Sequence, residues 1–116
     1  MLNTLNENSL ENVYKIVKIT KNVERIVSKT NETLPMALLK LSEEVGELSG
    51  AYLALSSYKK GNVEALGEEI ADSIQALFKV AIIAQDLFPT KINILDTLLE
   101  KNKKWESTLT QREEEK

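Results

Sequence analysis

Apolar residues recur every three to four positions through most of this chain, and the period-two alternation of β-strands is scarce. Over residues 9–28 the stripe is Leu10, Val13, Tyr14, Val17, Val23 and Val27, widened by Ile16, Ile19 and Ile26. Residues 29–32 are a polar linker. Thr33 is placed to cap a second helix over 34–57, with Pro35 tolerated in its first turn. That helix carries Leu38, Leu41, Val45, Leu48, Tyr52 and Leu55 as its main stripe. A turn over 58–62 follows, with Gly61 as stop signal and Asn62 as the next cap. The third helix spans 63–87 and ends before Pro89; Thr90 caps a fourth over 91–109, whose buried side is Ile94, Leu95, Leu98 and Leu99. Residues 111–116 are a charged tail expected to fray. The pattern predicts an all-α chain, a four-helix bundle-like protomer forming one domain over residues 1–116.

Within this pattern, four acids stand out: Glu44 and Glu47 on the second helix, Glu69 and Asp72 on the third. Each pair is spaced three apart, which puts both carboxylates on one helix face, one turn from each other. An isolated pair of this kind is usually a solvated face. Here the company is different. Met36, Ala37, Ala51, Ala54 and Leu55 share the Glu44–Glu47 face, and Ala65, Ala76, Val80 and Ile83 share the Glu69–Asp72 face. From Ile74 to Ala84 the third helix has almost no polar side, so it is expected to be covered on most sides. Four carboxylates entering such packing repel one another unless a cation neutralises them.

Composition narrows which cation. The 116 residues contain no His and no Cys, which removes the usual zinc, copper and haem ligands. Carboxylate, carbonyl and water oxygens remain, and these suit Mg²⁺, with Mn²⁺ as a substitute. Lack of His also removes the Glu-x-x-His ligands of di-iron bundles. Without Cys there is no disulfide framework, so a cytoplasmic protein is the expectation. The first twelve residues are polar and acidic, unlike a secretory leader, and the longest apolar run is too short to span a bilayer. A net charge of −3 gives no electrostatic argument for binding a nucleic-acid polymer.

The run Leu41-Ser42-Glu43-Glu44-Val45-Gly46-Glu47-Leu48, followed by Glu68-Glu69-Ile70-Ala71-Asp72, resembles the E-E-x-x-E, spacer, E-x-x-D signature of the MazG-type all-α nucleoside triphosphate pyrophosphohydrolases. Residues 34–84 carry the resemblance well and the last helix more loosely. The resemblance implies Mg²⁺-dependent hydrolysis of a nucleoside triphosphate to monophosphate and pyrophosphate. It assigns metal binding and catalysis to Glu44, Glu47, Glu69 and Asp72. Glu43 matches the first Glu of the motif, but it points about 100° from Glu44 and reads as a supporting or helix-packing acid. The resemblance also implies a homodimer or dimer of dimers whose packing completes the site.

Substrate-side candidates are fewer. Lys79 lies two turns beyond Asp72 on nearly the same face, placed to meet a phosphate, to balance an acid or to lay its stem across apolar surface. Asn102, Lys104 and Trp105, with Lys101 beside them, fall where members of that family often carry basic, Asn or aromatic residues that hold phosphate or sugar. Their plain reading is a solvated basic face with Trp105 capping the core. Lys59 and Lys60 beside Gly61 are placed to close over phosphates or simply to form a solvated turn. Where the dCTP-hydrolysing branch stacks aromatics on the base, this chain has Ala54 and Ala76, with Tyr52 and Tyr58 out of phase, so base preference does not carry over. Tyr14 is an alternative ring, though its stripe position makes it a core residue first. Three alternatives stay open: a non-catalytic nucleotide- or metal-binding module of the same fold, a phosphoribosyl-ATP pyrophosphohydrolase-like enzyme, and a helical interaction protein whose acids pair with Lys40 and Lys79.

Overall fold

In the computed structural model, which describes residues 7–57 and 61–115, the chain is all-α. Four helices follow in order, α1 (Glu7–Val27), α2 (Leu34–Ser56), α3 (Val63–Leu87) and α4 (Ile94–Glu114), with no strand among the described residues. They fall into two compact units, one running to Ile83 and the other starting at Ala84.

Local chemistry explains the helix ends in the first unit. At the close of α1 the Ser28 and Thr30 hydroxyls donate to the carbonyls of Arg25 and Val27, winding the linker tightly. Thr33 sits in extended backbone, and its hydroxyl accepts from the Met36 N–H at 3.3 Å, satisfying an orphan donor of α2. Gly61 then takes φ +83°, a left-handed conformation that costs other residues free energy. A Cβ there would meet Ala54 at an ordinary 3.7 Å, so the backbone angle and not crowding calls for glycine. Asn62 caps α3, its side-chain oxygen accepting from the Ala65 N–H at 2.7 Å. Tyr58, Lys59 and Lys60 lie outside the described residues.

The inward face of α2 keeps Leu41, Leu48 and Leu55 of the expected stripe and turns toward the acid-bearing face that Ala37 and Ala51 share. On α2 the inward residues are Ala37, Leu41, Glu44, Leu48, Ala51 and Leu55, a helical repeat in which Ala37 and Glu44 are buried and the others half-buried. Leu38, Val45 and Tyr52, assigned to that stripe from the sequence, are exposed. The inward face is the one that carries the small residues Ala37, Ala51 and Ala54, and Ser73 of α3 reaches across to donate to the Glu44 carbonyl at 3.3 Å. On α3 the matching row is Leu66, Glu69, Ser73, Ala76, Val80 and Ile83. Ile82 and Ile83 are buried, whereas Ile74, Leu77 and Phe78 stay exposed. The expectation of a third helix covered on most sides therefore holds only for its last turns. Tyr14 is exposed as well and is not a core residue.

In the second unit α4 starts at Ile94 and not at Lys91. The turn after α3 absorbs Thr90, since the N–H groups of Lys91 and Ile92 both donate to the Phe88 carbonyl. Asn93 is the cap, accepting from the Asp96 N–H at 3.1 Å, while Gln85 accepts from the Ile94 N–H at 3.0 Å. The helix continues through Glu114, past the expected end at 109 and through the tail expected to fray. Of its predicted buried side only Ile94 is half-buried; Leu95, Leu98 and Leu99 are exposed. Among the described residues no helix is long and apolar enough to cross a membrane.

Removing the Asn62 cap tests the local reading of α3. Asn62→Ala should cost about 1 kcal/mol, measured by urea unfolding; a loss below a few tenths would mean that α3 is held by packing alone.

Candidate metal centre

α2 and α3 each bring carboxylates to one place. One oxygen from each of Glu44, Glu47 and Glu69 lies within 4.8 Å of the other two. Opposite ligands of a hard divalent cation stand roughly 4–5 Å apart, so the spread is that of a coordination shell. Glu44 is buried, Glu69 half-buried and Glu47 exposed. Asp72 is exposed and not part of this triplet, but it lines the same cavity as Glu44.

Two of the acids are incompletely satisfied. Glu44 Oε2 and Glu69 Oε2 are shielded from solvent and accept no hydrogen bond. An unpaired buried carboxylate oxygen is costly, and a partner that is itself a cation is the direct remedy. The other Glu44 oxygen is engaged: Lys40 Nζ lies 3.1 Å from Glu44 Oε1 and 3.5 Å from Glu43 Oε1. The Lys40 ammonium is held above its ordinary range, first by the hydrogen bond to Glu44 and then by the charges of Glu43 and Glu44. Glu43 is thus an exposed helix-surface acid tied to Lys40.

A cavity of about 500 Å³ opens beside these acids. Its charged wall is Lys40 and Glu44 from α2 with Asp72, Gln75 and Lys79 from α3. Its apolar wall comes from α1, through Ile16, Ile19, Val23 and Val27, with Phe78 and Ile82 of α3 beside them. Lys79, expected at a phosphate, is in this wall and forms an ion pair with Glu32 of the α1–α2 linker. The site is therefore built within the first unit. Asn102, Lys104 and Trp105 stand on α4 in the second unit, and all three are exposed, so Trp105 is no core cap.

Sequence reasoning named Lys40 only in the alternative where the acids pair with lysines, and it did not place Glu32 or Gln75 at the site. Lys40 was legible, because it stands one turn before Glu44 on the same face. The α1 wall was not, since an apolar stripe says that a face is covered without saying by what. No family model, curated protein or solved structure matches this chain.

The donor set fits a hard cation: oxygen ligands only, two of them orphaned, converging from two rigid helices. Glu47 reports on the crowding. Its carboxyl is held above the ordinary value of 4.5, first by the charge of Glu44, then by burial and by Glu69 and Glu43, with Lys40 pulling the other way. The folded state thus holds a proton that the unfolded chain releases. The associated stability is complete below about 4.5, and it is lost as pH rises through the folded value. At neutral pH an ionised Glu47 is a net burden on the metal-free protein. Glu47→Gln should therefore raise the melting temperature in EDTA at pH 7.5, and the advantage should shrink toward zero as pH approaches 4.5. A difference independent of pH would show that Glu47 does not feel its neighbours' charge.

Proposed function

We propose that this chain is a divalent-metal-dependent nucleoside triphosphate pyrophosphohydrolase that yields a monophosphate and pyrophosphate. The observation that carries the proposal is the convergence of Glu44, Glu47 and Glu69, with two orphaned buried oxygens, beside a cavity edged by Lys40 and Lys79. The spacing of these acids in sequence supports it, through the resemblance to the MazG-type enzymes. A volume near 500 Å³ suits a nucleotide-sized ligand.

In this reading Glu44, Glu47 and Glu69 would hold Mg²⁺, and Asp72 stands one turn further along the Glu69 face of α3, lining the cavity. When bound, the ion supplies positive charge to phosphate oxygens and acidity to a neighbouring water. The chain's own residues do the rest. Lys79 and Lys40 offer ammonium groups to the polyphosphate, offsetting charge that grows on the departing pyrophosphate. Asp72, outside the triplet, is free to orient the attacking water or to take its proton. The α1 wall excludes solvent from one side and strengthens those interactions.

A structural ion-pair network is the competing reading, and the Lys40–Glu44 contact favours it. It leaves Glu44 Oε2 and Glu69 Oε2 without partners, which is why we prefer the metal site. A homo-oligomer belongs to the proposal: Val13 and Val17 on α1 and Ile74 and Leu77 on α3 are exposed and offer a second copy an apolar surface.

Pyrophosphate release from a panel of NTPs and dNTPs should occur with Mg²⁺ and stop with EDTA. Glu44→Gln should lower turnover by more than ~100-fold, since even outer-shell partners of metal ligands are worth 10–100-fold. The variant should keep its helical circular dichroism. Near-normal turnover in Glu44→Gln would sink the metal assignment. Release by no substrate, with Mg²⁺ still bound, would favour the non-catalytic module; release from phosphoribosyl-ATP alone would redirect the substrate. Saturation with Mg²⁺ at ~100 Kd should stabilise the fold by about 2.7 kcal/mol, read as a higher melting temperature. Light scattering should report a dimer or larger, and a monomer at tens of micromolar would overturn the oligomer.

A further inference from the structure

We propose that Lys40 is a two-position cation: it neutralises Glu44 while the site lacks metal and grips a substrate phosphate once metal takes its place. The inference rests on the metal reading above and adds a coupling between metal and polyphosphate that this reading does not require.

Among the described residues two lysines line the cavity, and their partners distinguish them. Lys79 pairs with Glu32, an acid of the α1–α2 linker that does not belong to the carboxylate triplet. Metal arriving among Glu44, Glu47 and Glu69 leaves that pair intact. Lys40 instead pairs with Glu44 Oε1, on the same carboxylate whose Oε2 is buried and unpartnered. A divalent ion at Glu44 competes directly with the Lys40 ammonium for that carboxylate's negative charge. Like charges this close repel, so the bound ion weakens the 3.1 Å contact.

The released ammonium has somewhere to go. Lys40 is about half exposed on a four-carbon stem, and it already lines the cavity. Glu43 alone holds it less closely, at 3.5 Å, and that acid is exposed, so the remaining tether is weak. A polyphosphate bound beside the metal presents several negative oxygens within the stem's reach. In the empty site the lysine limits the cost of Glu44's burial. In the loaded site its charge serves the substrate. Metal and polyphosphate then favour one another through Lys40, and linkage makes that coupling reciprocal.

The test separates this role from a surface ion pair by opposite signs. Bare Mn²⁺ binding, followed by electron paramagnetic resonance, should tighten several-fold in Lys40→Met, because a competing cation is gone. For the same variant the KM for the best nucleotide triphosphate should rise at least tenfold. Lys40→Gln should behave likewise, and the exposed position lets both variants fold, which circular dichroism verifies. Unchanged Mn²⁺ affinity with unchanged KM would make Lys40 an ordinary helix-surface lysine. Weaker Mn²⁺ binding would mean that it supports the metal and does not compete with it. No Mn²⁺ binding by the unaltered protein would bring down the metal reading itself, and this inference with it. Normal Mn²⁺ binding in both variants, with opposite-sign behaviour absent, would overturn the inference alone.

Discussion

Glu44 and Glu69 occupy positions that an ordinary helix pair gives to leucine or valine. On α2 the inward repeat is Ala37, Leu41, Glu44, Leu48, Ala51 and Leu55; on α3 it is Leu66, Glu69, Ser73, Ala76, Val80 and Ile83. An acid in each row, Glu44 buried and Glu69 half-buried with the exposed Glu47 beside them, places negative charge where water is scarce, which is costly if nothing answers it. The surrounding contacts read as responses to that constraint. Ser73 of α3 ties that helix to α2 through the Glu44 carbonyl, and Lys40 lies along α2 to meet one Glu44 oxygen. What these responses leave is two oxygens without partners and a Glu47 carboxyl that resists ionisation. Strain of this kind is the usual sign of a site arranged for a ligand and not for stability alone.

The arrangement divides labour between rigid and mobile groups. Glu44 and Glu47 project from the middle turns of α2 and Glu69 from the second turn of α3, where backbone hydrogen bonds fix their positions. The lysines reach the cavity that Glu44 lines on flexible stems, and each already has a carboxylate of its own. Fixed anions with movable cations suit a ligand that is itself part cation and part polyanion. Under the proposed function the fixed set would define where a metal sits, and the movable set would redistribute toward the phosphates without moving a helix.

Much of this was legible in the chain because helices obey simple rules. Thr33 caps the start of α2 and Asn62 the start of α3, with the left-handed Gly61 just before it, whereas Ser57 caps the end of α2. The acid pairs declared themselves by three-residue spacing among alanines. Other features escaped for physical reasons. Thr90 is a good cap by type, but the turn on the Phe88 carbonyl uses that segment first and hands the role to Asn93. Half of the expected α2 stripe, Leu41, Leu48 and Leu55, does turn inward, whereas Leu38, Val45 and Tyr52 do not, because hydrophobicity alone does not separate neighbouring faces. Close approach of two helices favours alanine, and the inward row is the one that holds Ala37. The Glu32–Lys79 pair joins residues 47 positions apart, and no local pattern announces it.

The contribution of α1 shows why the acids alone do not make the site. The carboxylate triplet comes from α2 and α3. Without a facing wall the groove outside it would be open to water, and a phosphate there would stay hydrated and loosely held. Ile16, Ile19, Val23 and Val27 supply that wall and give the cavity one apolar and one charged side. A nucleotide has the same asymmetry, with a heterocycle at one end and a polyanion at the other. The Glu32–Lys79 contact joins the linker that follows α1 to α3. Substrate phosphates that draw Lys79 away from Glu32 would therefore loosen the linker that carries the wall. In such a site the ligand's charge and the closure of the cavity act on the same few residues.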